Sequence, residues 1–293
     1  MKIGYFAIGI GASTKPDCVR TIACHAERLG FASLWAPEHV VLLDRYASKY
    51  PYSAGEFPAP THSPIGDPFT TLAFAAACTK TIRLATGICL VPEHNPLVLA
   101  KTVATTDRLS NGRVVLGVGI GWLQEEFEAI GVAWEQRAQR TREYVEVMRK
   151  LWREERSSHD GRFAKFDGVR SFPKPANGKS VPVWFGGESV PALRRVAEYG
   201  DGWIGFNMTA DQAAAKIKRI EELLVAHGRK RSDVELAVCP YTNAIRPGDL
   251  ERYRDAGVDE VALLALDMRS GEREIVERLE RMAREFVEPA ERL

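Results

Sequence analysis

Glu38 and His39 stand side by side in the segment LWAPEHV, and they form the strongest acid–base candidate in the chain. Histidine titrates near neutral pH, and an adjacent carboxylate can tune it for proton transfer. A loop histidine that merely satisfies a backbone carbonyl would use the same residues. His94, at the exit of a later apolar run, is a second candidate. His25, His159 and His227 fall on helices or hairpin ends and read as structural, and His62 lies in a long loop. A different chemistry is suggested by Phe185-Gly186-Gly187-Glu188-Ser189, followed by Pro191. The two glycines expose backbone N–H groups, Ser189 can cap the next helix and Pro191 fits its first turn. Such a helix N-terminus can hold phosphate, or it can simply be well capped.

Gly112–Trp122, GRVVLGVGIGW, carries Gly117, Gly119 and Gly121 at every second position after a short valine-rich run. Glycines there let backbone approach something flat, or let neighbouring chain pack tightly. Trp35, Trp122 and Trp203 fall near strand ends and could line an apolar pocket for an aromatic ring, whereas Trp134, Trp152 and Trp184 read as core or helix-packing residues. No HxxxH or HExxH pattern, no CxxC pair and no GxSxG elbow occurs, so neither a metal set nor a nucleophilic triad is expected. Chemistry here calls for a redox cofactor or a substrate that brings its own reactivity.

The elements that must position these residues alternate along the chain. Strands are expected at Lys2–Ile8, Ala32–Trp35, Thr81–Leu90, Arg113–Gly119, Val181–Phe185, Gly202–Phe206, Val234–Cys239 and Glu260–Leu264. Helices are expected at Pro16–Leu29, Pro68–Thr79, Pro96–Leu109, Arg137–Trp152, Pro191–Tyr199, Asp211–His227, near Gly248–Ala256 and at Glu272–Phe286. Eight strand–helix units over 293 residues predict a (β/α)8 TIM barrel, whose active site lies at the C-terminal strand ends. A doubly wound sheet is the runner-up, but its phosphate loop would be Gly9-Ile10-Gly11-Ala12-Ser13, which lacks the third glycine. Two insertions interrupt a single domain spanning 1–293. Residues 37–66 lack periodicity and read as a lid or binding loop, and 155–179 carries a hairpin signal around Asp167-Gly168.

Composition narrows the partners. Forty basic and thirty-nine acidic residues leave a net charge of +1 with no basic stripe, which argues against nucleic acid. Five scattered cysteines suggest buried free thiols in a reducing compartment. No apolar run reaches the roughly 18 residues of a membrane span, and the N-terminus reads as a strand rather than a signal peptide. A cytoplasmic protein acting on a small molecule is expected.

Taken together, LWAPEHV (Leu34–Val40), RLATGICLVPEHNPLVLAK (Arg83–Lys101), LSNGRVVLGVGIGWLQEEFEAIGV (Leu109–Val132), FPKP (Phe172–Pro175), VPVWFGGES (Val181–Ser189) and GDGWI (Gly200–Ile204) resemble the bacterial luciferase-like monooxygenase superfamily. The likeness is closest to its coenzyme F420-dependent oxidoreductases and covers nearly the whole chain. It implies a barrel with insertions, a homodimer, and F420 or alternatively FMN at the C-terminal mouth. It also implies a non-prolyl cis peptide in the third strand, behind the cofactor ring, which maps to Gly87–Ile88. The resemblance places the cofactor phosphate on backbone groups of Gly186, Gly187, Glu188 and Ser189. The cofactor-binding set is then Trp35, Thr86, Gly87, Ile88, Gly119, Gly121, Trp122, Gly186, Gly187, Glu188, Ser189 and Trp203, with His39 and Glu38 catalytic and no metal. Relatives that oxidise sugar phosphates carry a glutamate directly after the fourth-strand glycines. This chain has Trp122 there, with Glu125 and Glu126 further on, where a helix is expected. The departure turns the expectation toward a more apolar substrate, such as an enone, aldehyde or imine, reduced or oxidised by hydride transfer. A reduced-FMN monooxygenase using O2 and a non-catalytic deazaflavin-binding barrel are the alternatives.

Overall fold

Short apolar runs, too brief for helices and buried on both faces, become the staves of a closed barrel. In the computed structural model, which describes residues 1–176, 178, 180–266 and 270–293, they are β1 (Lys2–Phe6), β2 (Ser33–Ala36), β3 (Arg83–Thr86), β4 (Cys89–Leu90), β5 (Val114–Gly119), β8 (Val183–Gly186), β9 (Gly202–Phe206), β10 (Glu235–Cys239) and β11 (Glu260–Leu264). The parallel order β3-β2-β1-β11-β10-β9-β8-β5 closes through β3–β5 pairing, with Leu84 opposite Val114. Eight staves with helices between them make this a (β/α)8 barrel.

The helices are α1 (Pro16–Arg28), α2 (Pro68–Cys78), α3 (Pro96–Leu109), α4 (Gln124–Ala129), α5 (Arg137–Arg153), α6 (Val190–Tyr199), α7 (Ala210–Ala226), α8 (Asp249–Asp255), α9 (Glu272–Met282) and the short α10 (Glu288–Ala290). Their starts follow from local chemistry. Asp67 accepts from Thr70 N, Asn95 from Leu97 N and Val98 N, and Ser189 from Ala192 N, each with proline in the first turn. Thr209 and Gln212 form a reciprocal capping box at α7.

Alternation along each strand sorts side chains into two apolar layers. Phe6, Trp35, Ala85, Val115, Trp184, Ile204 and Ala262 fill the barrel, while Leu34, Leu84, Leu116, Val183 and Trp203 pack against the helices. The barrel floor is polar but saturated. Arg83 donates to both Glu235 and Glu260 at 3.0 Å, Ser33 donates to Glu260, and Trp35 Nε1 donates to Ser33 Oγ and Glu260 Oε1.

Two details differ from the sequence expectation. The third strand is not continuous over Thr81–Leu90. It breaks at a cis Gly87–Ile88 bond, β3 pairing with β2 and β5 before the break and β4 with β5 alone after it. The last helix ends at Met282 and passes into a wider π-type turn at Ala283–Val287. The first strand-to-helix turn, which lacks the third glycine of a phosphate loop, is a short 3-10 segment, Gly11–Thr14. The hairpin of the second insertion is present as β6 (Ser157–Asp160) and β7 (Lys165–Val169), antiparallel. Asn177 and Lys179, at the end of that insertion, lie outside the described residues.

Candidate active site

A cavity of about 350 Å3 opens at the C-terminal ends of the strands, where barrel active sites lie. Inward-facing strand residues form its base: Phe6 from β1, Gly119 from β5, Gly186 from β8, Phe206 from β9 and Leu264 from β11. The 37–66 insertion covers it with Tyr50, Tyr52 and Phe57. Phe57 stacks on Trp122 with ring centroids 6.2 Å apart, Tyr50 meets Trp122 edge-on at 5.1 Å, and Tyr52 meets Phe206 at 4.9 Å. The insertion is pinned at two points by the first turn of α4. Glu125 accepts from Ala47 N and Ser48 N, and Glu126 accepts from Val40 N (2.6 Å) and Val41 N (3.1 Å).

His39 lines this cavity, as the sequence suggests, but its carboxylate partner is not Glu38. Its Nδ1 sits 2.8 Å from Glu126 Oε2, a fully buried carboxylate. With Nδ1 engaged, Nε2 is the ring nitrogen left for a ligand. Glu38 turns the other way, as the next residue in an extended segment must. It accepts from Leu90 N and sits 3.0 Å from His94 Nε2. Burial works against a charged His94, but Glu38 outweighs it and raises the imidazole above its usual pKa. Glu38, Cys89 and His94 bring donor atoms within 4.8 Å of one another, a grouping that sequence spacing does not reveal. Burial, and then Glu38, push the Cys89 thiol up, so the trio reads as a hydrogen-bonded unit.

Between these two pairs lies Glu93. Both its oxygens are buried without a partner among the described residues, and Oε1 comes within 3.4 Å of where a Cβ on Gly121 would stand. Burial, then Glu126 and Glu38, raise its pKa to about 9, so it is held protonated at neutral pH.

The glycines resolve into distinct roles. A Cβ on Gly117 would fall 2.0 Å from Thr86 O, and one on Gly119 would fall 2.1 Å from Ile88 Cδ1. Both glycines seat the Thr86–Ile88 segment, and Gly119 also faces the cavity. Gly121, at φ +80°, leaves room for Phe127. Of the expected cofactor-binding residues, Gly87, Ile88, Gly121, Trp122, Gly186, Gly187 and Ser189 also line the cavity. Four expected cofactor contacts do not. Thr86 is fully buried and donates to Gly117 O. Trp35 points into the barrel against Trp184, and Trp203 points outward, its Nε1 donating to Gly187 O at 3.0 Å. Glu188 accepts from Tyr52 Oη and Phe206 N, so it ties the lid to the fifth-strand loop. Strand alternation accounts for Trp203, while Trp35 is held at the floor by its bonds to Ser33 and Glu260. Glu126 was missed because its partner lies 87 residues away, beyond any local signal.

The family profile for luciferase-like monooxygenase matches residues 1–288. An uncharacterised protein of Mycobacterium tuberculosis strain H37Rv is 35% identical over 240 residues, covering 80% of this chain and 83% of that protein. The 5,10-methylenetetrahydromethanopterin reductase of Archaeoglobus fulgidus is 31% identical over 197 residues, covering 67% and 57%. An F420-dependent secondary alcohol dehydrogenase, solved with an F420–acetone adduct, shares the fold at a TM-score of 0.75 with 20% identity, covering 96% of this chain and 97% of that one. The FMN-bound oxygenating constituent of 3,6-diketocamphane monooxygenase from Pseudomonas putida does so at 0.73 with 17% identity, covering 97% of each. Fold and family define an oxidoreductase. The chain belongs to the luciferase-like monooxygenase family. Among the described residues no helix is long and apolar enough to cross a membrane.

Proposed function

We propose that the protein is an F420-dependent oxidoreductase that transfers a hydride between the deazaflavin and a small apolar organic substrate. The observation that carries this reading is His39, backed by Glu126, on the wall of an otherwise aromatic and aliphatic cavity. The cavity volume lies at the small end of the roughly 300–1,000 Å3 usual for ligand sites. The residues fit a flavin-type group: backbone is open at Gly186 and Gly187, α6 presents its N-terminus, and Ile88 forms a flat apolar wall. When bound, the deazaflavin supplies or takes the hydride. His39 would donate or accept the accompanying proton through Nε2, held by Glu126 in the tautomer that does so. Phe57, Trp122 and Tyr50 would orient an uncharged substrate and keep water out.

The covered, apolar mouth also suits a reduced-FMN monooxygenase, the second reading, because such chemistry needs the cofactor shielded from water. A panel of enones, aldehydes and imines, mixed with reduced F420 and followed by recovery of oxidised F420 absorbance, tests the proposal. Substrate-dependent oxidation without O2 uptake is expected. O2 consumption with reduced FMN, and none of the former, would move the second reading to first place. The homodimer implied by the resemblance and the cytoplasmic home expected from composition are kept as part of this proposal, and sedimentation velocity tests the dimer.

A further inference from the structure

Among the described residues, Arg195 is the one cationic side chain on the cavity wall whose charge meets no carboxylate. It stands on α6, one turn beyond Ala192 and beside Gly187 and Ser189 at the same end of the cavity. Its Nε is buried and makes no hydrogen bond. Glu198, whose charge acts on Arg195, is bonded to Arg142 instead. The first turn of α5 adds two more arginines of the same kind. Arg137 lies over the Trp134 ring at 3.4 Å, and Arg140, only 6% exposed, donates to Ala133 O, yet the Nε of each is buried without a partner.

By contrast, Arg83, Arg231 and Arg252 each meet a carboxylate at 2.8–3.0 Å. A guanidinium on the cavity wall whose buried Nε has no partner is costly unless an anion arrives. Burial, and then the charges of Arg195 and Arg140, lower Arg137 below the ordinary guanidinium value, as like charges near one another do.

We propose that Arg195, backed by Arg137 and Arg140, forms an anion-binding corner that takes the charged end of the cofactor side chain, beyond what the backbone of Gly186–Ser189 can hold. Guanidinium forks match phosphate and carboxylate oxygens, and the α6 N-terminus adds its dipole. The inference rests on the proposed cofactor reading and deepens it. Two sources share this chemistry: the phosphodiester and glutamate carboxylates of F420, or the terminal phosphate of FMN.

The test is a fluorescence titration of the full chain and of Arg195→Gln and Arg137→Gln. The probes are F420, the deazaflavin riboside lacking the phosphodiester–glutamate tail, FMN and riboflavin, each at low and high salt. Wild-type protein is expected to bind F420 at least tenfold more tightly than the tail-less deazaflavin, with the gap closing as salt rises. Arg195→Gln should weaken F420 by about 10–100-fold, the range of a lost charge-assisted bond, and leave the tail-less compound unchanged. Equal wild-type affinity for the two deazaflavins, or a variant that weakens both alike, overturns the corner. Binding of FMN in place of F420 removes the F420 reading, and the corner is then judged by the same comparison of FMN with riboflavin. If no flavin or deazaflavin binds, the cofactor reading itself falls. Unfolding curves of the variants separate loss of the site from loss of the fold.

Discussion

The two ends of the barrel hold polar groups in opposite ways. At the floor, Arg83, Glu235, Glu260, Ser33 and Trp35 satisfy one another, and Glu260 is fully buried. At the mouth, among the described residues, Glu93 is buried and unpaired, Arg195 meets no carboxylate, and His39 has one ring nitrogen committed and one left over. Both ends place charge beside apolar barrel residues, so burial alone does not separate them. Satisfaction does: a closed network serves stability, and an open one waits for a ligand.

Breaking the mouth should cost function first. His39→Ala is expected to lower turnover by about 10²–10⁴-fold while cofactor affinity stays within about twofold. Steady-state rates beside a binding titration check it, and unchanged turnover would remove His39 from the chemistry.

Breaking the floor should cost stability alone. Arg83→Leu strands the buried Glu260 carboxylate, and denaturant unfolding should show a loss of about 3–5 kcal/mol. The cofactor affinity of the folded fraction should be unaffected.

Glu93 offers a way to sharpen the contrast through pH. Its folded-state pKa of about 9 lies above the ordinary 4.5, so the native state holds a proton that the unfolded chain releases. Its contribution is therefore most favourable below pH 4.5 and erodes as pH rises toward 9. Glu93→Gln should flatten that slope and stabilise the protein at pH 8 by about 1 kcal/mol or more, read as a higher unfolding midpoint at pH 8 but not at pH 5. The smallest effect is expected from Tyr52→Phe, which removes the lid's bond to Glu188. A loss of about 0.5–1.5 kcal/mol is expected, with faster proteolysis within 37–66.

The barrel was legible because its staves are short and valine-rich and its helices carry caps and first-turn prolines. Val114–Gly119 and Val183–Gly186 differ from their expected bounds by one or two residues. The cis Gly87–Ile88 bond and the glycines facing the mouth were reachable through the resemblance. The partnerships were not. Adjacency suggested that Glu38 serves His39, but extended backbone sends consecutive side chains apart, and the serving carboxylate comes from α4. Trp35 has the inward phase but is tied down to the floor through Nε1, and Trp203 lies at the start of its strand and points outward. The arginine corner draws on α5 and α6, whose first turns are over fifty residues apart in sequence.

The most direct measurement is a fluorescence titration of the wild-type protein with F420 and, separately, with FMN. The account predicts saturable F420 binding in the low micromolar range with FMN much weaker. Preference for FMN would contradict the deazaflavin assignment and favour the oxygenase, and binding of neither would contradict the cofactor site itself.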